Sequence, residues 1–174
     1  MQGPALGRWR SSHLSRGLTA MELLIACAIL VLLVGISIPL VSNAVEAYRL
    51  RAAAWQVAGD LRLARQRAIS MQKRHRLCFM NCVASVAANT YVFERDEGIP
   101  GTAQWVQDSA VPLNLPQGVS ADASQTSNPG GRIAFDVRGE GDAFGTLRVV
   151  NSAGNYAITI SRVGRVLVCK GECP

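Results

Sequence analysis

Histidine is scarce in this 174-residue chain: there are two, His13 and His75. His13 lies in a basic N-terminal stretch. His75 is flanked by Lys73, Arg74 and Arg76, the setting of a solvated basic turn rather than of a catalytic base. A Ser-His-Asp triad in the C-terminal part would have only His75 to draw on. No glycine-rich loop leads into a helix to cradle a phosphate, and no His/Asp cluster has metal-ligand spacing. Asp136, Glu140 and Asp142 lack the repeated spacing of an EF-hand and read as a solvated turn. No internal repeat is evident. The expectation is a protein that is not an enzyme and needs no cofactor or metal.

Charge is missing from one long stretch. Leu18 to Val41 is 24 residues, and Glu22 is its only charged residue. At about 1.5 Å per residue such a helix crosses a bilayer core of about 30 Å. A carboxylate inside it costs at least about 2.5–3.5 kcal/mol near the centre, so it needs a functional reason. Arg8, Arg10 and Arg16 precede the run, with no acid among them. A cut after Gly17 makes Leu18 the first residue and Glu22 the fifth. A new α-amine and a carboxylate then lie one helical turn apart, and the carboxylate of one subunit can neutralise the amine of a neighbour. Two other readings stay open. Arg8, Arg10 and Arg16 could be the n-region of an ordinary signal peptide, with Ser42-Asn43-Ala44 as a small-x-small cleavage site, or the run could be an uncleaved anchor. Both put the remaining chain outside the cytoplasm.

The 133 residues after Val41 suffice for one domain with a core and are too few for two. The formal charge of +6 is unevenly placed. Eight basic residues lie between Arg49 and Arg76 against Asp60 alone, whereas from Leu77 onward there are seven basic and nine acidic residues. The basicity therefore belongs to a stem. It suits anionic headgroups or acidic neighbours, or equally a solvated helix face.

Five cysteines are present. Cys27 lies in the apolar run and reads as an inert thiol. Cys78/Cys82 and Cys169/Cys173 form two Cys-x-x-x-Cys pairs, which an exported location would let oxidise. Four cysteines allow three connectivities. Residues four apart on an extended strand are about 13 Å apart, too far to bridge, so a local bond requires a turn. Asn81 and Lys170-Gly171 can supply one. Two local loops are favoured, with cross-pairing and a four-thiolate zinc site as alternatives.

Leu18 to about Ser70 reads as one long helix, interrupted at Pro39, where a lost hydrogen bond favours a kink. Beyond Pro39, Leu50, Ala54, Val57, Leu61, Ala64 and Ala68 recur at spacings of four and three and form a narrow stripe fit to dock a sheet. From Arg76 the pattern is β, with strands expected at Arg76–Met80, Thr90–Arg95, Gln104–Val106, Arg132–Val137, Gly145–Val150, Tyr156–Ser161 and Arg165–Cys169. Ser120–Gly131 is polar and reads as a mobile loop. The fold class is α+β: a transmembrane then amphipathic helix packed on an all-β antiparallel head. The divisions are 1–17 leader, 18–41 transmembrane helix, 42–70 stem and 71–174 head.

Gly17-Leu18-Thr19-Ala20-Met21-Glu22 resembles the class III signal of type IV pilins and type II secretion pseudopilins. Leu18 stands where Phe is commoner, and Ala20 and Met21 replace larger aliphatics. Pro39, at mature position 22, also fits that family. Within it the chain resembles the GspH/FimT branch, through Asp60-Leu61-Arg62-Leu63-Ala64-Arg65-Gln66-Arg67-Ala68, Cys78, Phe135-Asp136-Val137-Arg138-Gly139 and Ile158-Thr159-Ile160-Ser161-Arg162-Val163-Gly164-Arg165. The resemblance implies a pilin-like fold, cleavage after Gly17 by a prepilin peptidase and N-methylation of Leu18. It assigns filament assembly to Glu22 and Pro39. It implies other pilins or pseudopilins, an inner-membrane assembly platform and membrane lipid as partners, with the head in the periplasm. The expected function is a minor pseudopilin of a type II secretion pseudopilus. The alternative is a minor type IV pilin in pilus assembly or DNA uptake. Related DNA-uptake subunits carry Gly-Arg-x-Arg near the C-terminus. Here the second Arg is missing after Gly164-Arg165, leaving Arg162, Arg165 and Lys170 as the candidate contacts. So few cations on a chain whose net charge from Leu77 onward is −2 disfavour nucleic acid.

Overall fold

A computed structural model describes residues 19–83, 87, 89–99, 101–108, 112–122 and 131–173, with the backbone alone for residues 37–40. The leader expected over 1–17, and with it Gly17 and Leu18, lies outside the described residues.

Helix α1 runs from Ala20 to Met71, through Pro39. Thr19 caps it: the Glu22 backbone N–H donates to Thr19 Oγ1 at 3.2 Å, and the Leu23 N–H to the Thr19 carbonyl. Thr19 and Glu22 have capping-box spacing, and a carboxylate in the first turn favours the helix dipole. At the other end Gln72 turns to φ 51°, and its side-chain amide donates to the Ile69 carbonyl at 2.7 Å, closing an αL C-cap.

The chain divides into two compact units, Met1–Leu40 and Val41–Pro174. The first holds the apolar part of α1, whose Leu23, Leu24, Leu30, Val31 and Ile36 are all exposed. By length and composition this helix can cross a membrane.

The second unit holds the rest of α1 and two antiparallel sheets. One has the order β3-β2-β1-β6-β7, with β4 beside β2, and the other β10-β9-β8-β5. The strands are β1 His75–Cys78, β2 Thr90–Asp96, β3 Trp105–Gln107, β4 Leu113–Asn114, β5 Ser120–Asp122, β6 Arg132–Phe135, β7 Gly141–Ala143, β8 Gly145–Asn151, β9 Gly154–Ile160 and β10 Val166–Lys170. The whole expected stripe, from Leu50 to Ala68, is buried, joined by Ala53 and Ala58. It packs with Leu77, Tyr91, Phe93, Ile133 and Phe135 of the first sheet and Leu147, Val149, Ile158 and Ile160 of the second. Five alanines on this helix face leave little side-chain bulk between helix and sheets.

Three expectations need correction. Ser120–Asp122, read as the start of a loop, is β5 and pairs with Val150–Arg148 of β8. Val137 lies in a turn after β6, because Asp136 accepts the backbone N–H of Arg138 and Glu140 and folds the chain back. His75 is fully buried in β1 rather than solvated. Its register partners Arg95 and Phe135 flank it in the sheet, and its Nδ1 lies 2.9 Å from the Lys73 carbonyl oxygen. The two-residue β4 and the three-residue β7 were not anticipated.

Candidate functional site

Glu22 sits in the first turn of α1 with its side chain exposed, and the apolar side chains that follow it are exposed as well. The carboxylate thus stands at the head of an uncovered apolar helix. Cys27 is a free thiol in the same stretch. The backbone of Pro39 is helical.

The stem's basic residues are mostly engaged within the chain. Arg49 pairs with Glu46, Arg67 with Asp108, Lys73 with Glu97 and Arg76 with Glu94, while Arg74 reaches both Asp96 and Asp142. Asp108 also accepts from Arg95, and His75 Nε2 lies 3.9 Å from it. Burial lowers the Arg76 pKa below its usual value against the opposing pull of Glu94. Trp105 covers this pair, with the Arg76 guanidinium 4.0 Å from the ring centroid. Six of the eight stem cations therefore hold the fold together, counting Arg65 below. Arg51 and Arg62 remain exposed with no carboxylate partner among the described residues.

Arg65 joins three of the four segments on which the GspH/FimT resemblance rests. Its Nε donates to the Gly139 carbonyl at 2.9 Å and its Nη2 to the Val163 carbonyl at 3.4 Å. Gly139 and Gly164 both have positive φ, 78° and 75°. A Cβ on Gly164 would lie 2.1 Å from the Gly139 carbonyl oxygen, so only glycine lets the two turns meet under Arg65. Asp60, in the same helical motif, accepts the Tyr91 hydroxyl, and Gln56 donates to that hydroxyl and to the Asn114 carbonyl. Burial raises Asp60 above its usual 3.8, against the lowering pull of Tyr91 and Arg67. The motif Asp60–Ala68 is thus a docking edge. Its Asp and Arg take polar anchors on the sheets, while Leu61, Ala64 and Ala68 fill the core. Sequence reading found the motif but not these roles. An arginine three residues before the last stripe position, with glycines at two later turns, was the available signal.

The disulfides are local: Cys78–Cys82 and Cys169–Cys173. Asn81, with φ 52°, and Gly171, with φ 79°, make the turns they need. This pairing removes the cross-linked and four-thiolate alternatives. Cys78, Cys82 and Glu94 place their ligand-type atoms within 4.8 Å of one another. The two sulfurs are bonded to each other, however, and Glu94 accepts from Arg76 and from the Val83 N–H, so that set is already satisfied. The Val83 N–H that follows this loop donates to Glu94 of β2, while Phe79 within it turns into the core and stacks on Tyr91 at 4.8 Å.

Arg162, Arg165 and Lys170 are all exposed but not gathered. Arg162 and Arg165 lie at the β9–β10 turn, with Arg162 5.0 Å from the Phe144 ring centroid. Lys170 lies at the far end of β10, opposite Tyr156. Four residues of strand, about 13 Å, separate it from Val166.

The sequence pattern of the family described as type II transport protein GspH matches residues 53–164. The minor pseudopilin EpsH from the type 2 secretion system of Vibrio cholerae has a similar fold. Its TM-score is 0.52 at 16% identity, over 71% of this chain and 99% of that one. The type IV minor pilin FimU of Pseudomonas aeruginosa gives 0.51 at 16%, over 74% and 95%. E. coli GspH gives 0.54 at 13%, over 74% and 90%. No curated protein sequence matches. At these identities the structural likenesses establish the fold.

Proposed function

This chain belongs to the GspH family of type II transport proteins, and from that membership we propose that it is a minor pseudopilin of a type II secretion pseudopilus. It is a pilin-like structural subunit, of a type II secretion or type IV pilus system. The proposal adds the following. A prepilin peptidase cuts after Gly17 and Leu18 is N-methylated. Residues 18–41 hold the subunit in the inner membrane, 42–70 form the stem, and 71–174 stand in the periplasm as the head. The inner-membrane assembly platform then moves subunits from lipid into the filament, and Pro39 loosens the helix for that step.

One observation carries this reading: Glu22 is exposed at the start of an uncovered apolar helix. Its place in the helix cap is worth only about 0.3–1 kcal/mol. A charge in lipid costs more than that, and neutralising a neighbour's α-amine offsets the cost. Glu22→Ala should abolish incorporation into filaments while leaving the subunit folded and membrane-bound. Normal incorporation of that variant would sink the mechanism. The intact mass of the membrane-extracted protein checks processing, since it should correspond to a methylated Leu18 start. The alternative, a minor type IV pilin whose head takes up DNA, draws on the exposed Arg162 and Arg165 at one turn, with Lys170 apart from them. Tight DNA binding by the protein at physiological salt in a gel shift would favour it.

A further inference from the structure

The stem has a free face opposite its buried stripe. Tyr48, Arg51, Trp55, Gly59, Arg62 and Gln66 recur at spacings of three and four, and all six are exposed. Tyr48 is 74% and Trp55 50% exposed, and the Arg62 guanidinium lies 6.0 Å from the Trp55 ring centroid. Trp, Tyr and Arg are the residues that dominate binding at protein interfaces. Gly59 weakens the helix, yet a Cβ there would meet nothing within 4 Å. No contact inside the chain calls for glycine, whereas a close external neighbour would.

The charges decide what that neighbour is. Arg51 and Arg62 are the two stem cations with neither a hydrogen bond nor a carboxylate partner among the described residues. Among the described residues, a second copy of this chain offers them almost no free carboxylate. Glu46 is held by Arg49 and Asn151, and Asp60 by Tyr91. In the head, Glu97, Glu140, Asp142 and Glu172 are already paired with Arg95, Arg138, Arg74 and Arg148. Among the described carboxylates Glu22 alone is uncommitted, and it lies 29 residues before Arg51.

We propose that the Tyr48–Gln66 face binds the stem helix of a different subunit, one that bears exposed carboxylates matching Arg51 and Arg62. The two arginines are eleven residues apart, about 16 Å along the axis, so a near-parallel partner helix carries its acids at about the same separation. Gly59 lets the partner approach between Trp55 and Arg62. This inference rests on the assembly reading above and names its partner chemistry.

The test uses the full chain in its native membrane, with a benzophenone amino acid in place of the exposed Gln66 at the end of the face and, as control, at position 83 on the head. Irradiation should link position 66 to one other pilin-like subunit, through a helical peptide with carboxylates about 11 residues apart. Arg51→Glu with Arg62→Glu should cut that yield at least about fivefold, and lysines in place of the partner's acids should restore it. A product with a second copy of this chain, a product with lipid alone, or a yield unmoved by the double reversal would overturn the proposal. Glu22→Ala separates the two levels. If that variant is excluded from filaments while the double reversal leaves the cross-link intact, this inference fails and the assembly reading stands. If Glu22→Ala assembles normally, the assembly reading fails.

Discussion

Gly164→Ala is the sharpest test of how stem and head are joined. At φ 75° an alanine pays about 1 kcal/mol for the left-handed conformation alone. Its Cβ would also sit 2.1 Å from the Gly139 carbonyl oxygen and 2.9 Å from Arg65 Nε. The carbonyl is backbone, so the two turns must separate, and the hydrogen bond from Arg65 to Gly139 is lost with them. A hydrogen bond to a charged group contributes about 1.5–3 kcal/mol. The total is about 3 kcal/mol or more. Gly171→Ala is the control. Its φ is 79°, but a Cβ there meets nothing within 4 Å, so about 1 kcal/mol is expected. Thermal unfolding of a Val41–Pro174 fragment, with disulfides intact, should show a Tm drop of about 9 °C for Gly164→Ala and about 3 °C for Gly171→Ala. Arg65→Ala should be costly alone and add little to Gly164→Ala, because both remove the same bond. Equal Tm losses for the two glycine variants, or full additivity with Arg65→Ala, would refute the clamp.

The remaining predictions concern the same unit. Leu61 is fully buried in the core, so Leu61→Ala should cost about 2–5 kcal/mol in urea unfolding, while the half-exposed Leu63 should tolerate alanine. Asp60 holds its proton more tightly in the folded state, because burial raises it above 3.8. Its contribution to stability therefore declines as pH rises from about that value through the raised one and is level above. The difference between wild-type and Asp60→Asn unfolding curves should follow that sign; a difference that grows in favour of the aspartate across this window would contradict it. Opening the Cys78–Cys82 loop with Cys78→Ser and Cys82→Ser should cost about 2 kcal/mol, read as a shift in the urea midpoint.

What could be read from the sequence divides along the range of the interactions. The long helix and its buried stripe were legible because their signals are local and periodic: Leu50 to Ala68 repeats at helical spacing whatever it packs against. The strands with clear alternation, such as Ile133–Phe135 and Ala157–Ile160, were legible for the same reason. The short β4, β5 and β7 were not, since two or three residues hold no period and exist only through pairing with β2, β8 and β6. His75 was misread because its basic neighbours suggested solvent. In a strand covered on both faces, charged neighbours alternate with it and find partners of their own. Local disulfides could be favoured from Asn81 and Lys170-Gly171, but only the turn geometry chose among the connectivities. The partners of Asp60 and Arg65 lie 31 and 74 residues away, beyond any pattern a single sequence displays.

The stem's charge shows how that long-range information changes a functional argument. Counted along the chain, eight cations against one acid make a polybasic segment suited to anionic headgroups or acidic neighbours, or equally a solvated face. In the fold, most of that excess is internal: Arg65 clamps two turns, and Arg67, Arg74 and Arg76 meet Asp108, Asp96 and Glu94. Each juxtamembrane cation near an anionic surface is worth about 1 kcal/mol, so a reduction to two removes most of the reason to expect general adhesion to anionic polymers. Two arginines on one helical face beside Tyr48 and Trp55 are too few for that role, but their fixed spacing suits them to select one partner. The same residues that looked like a diffuse electrostatic property thus resolve into a clamp that fixes the head on the stem and a short free face on which the choice of neighbour is proposed to depend.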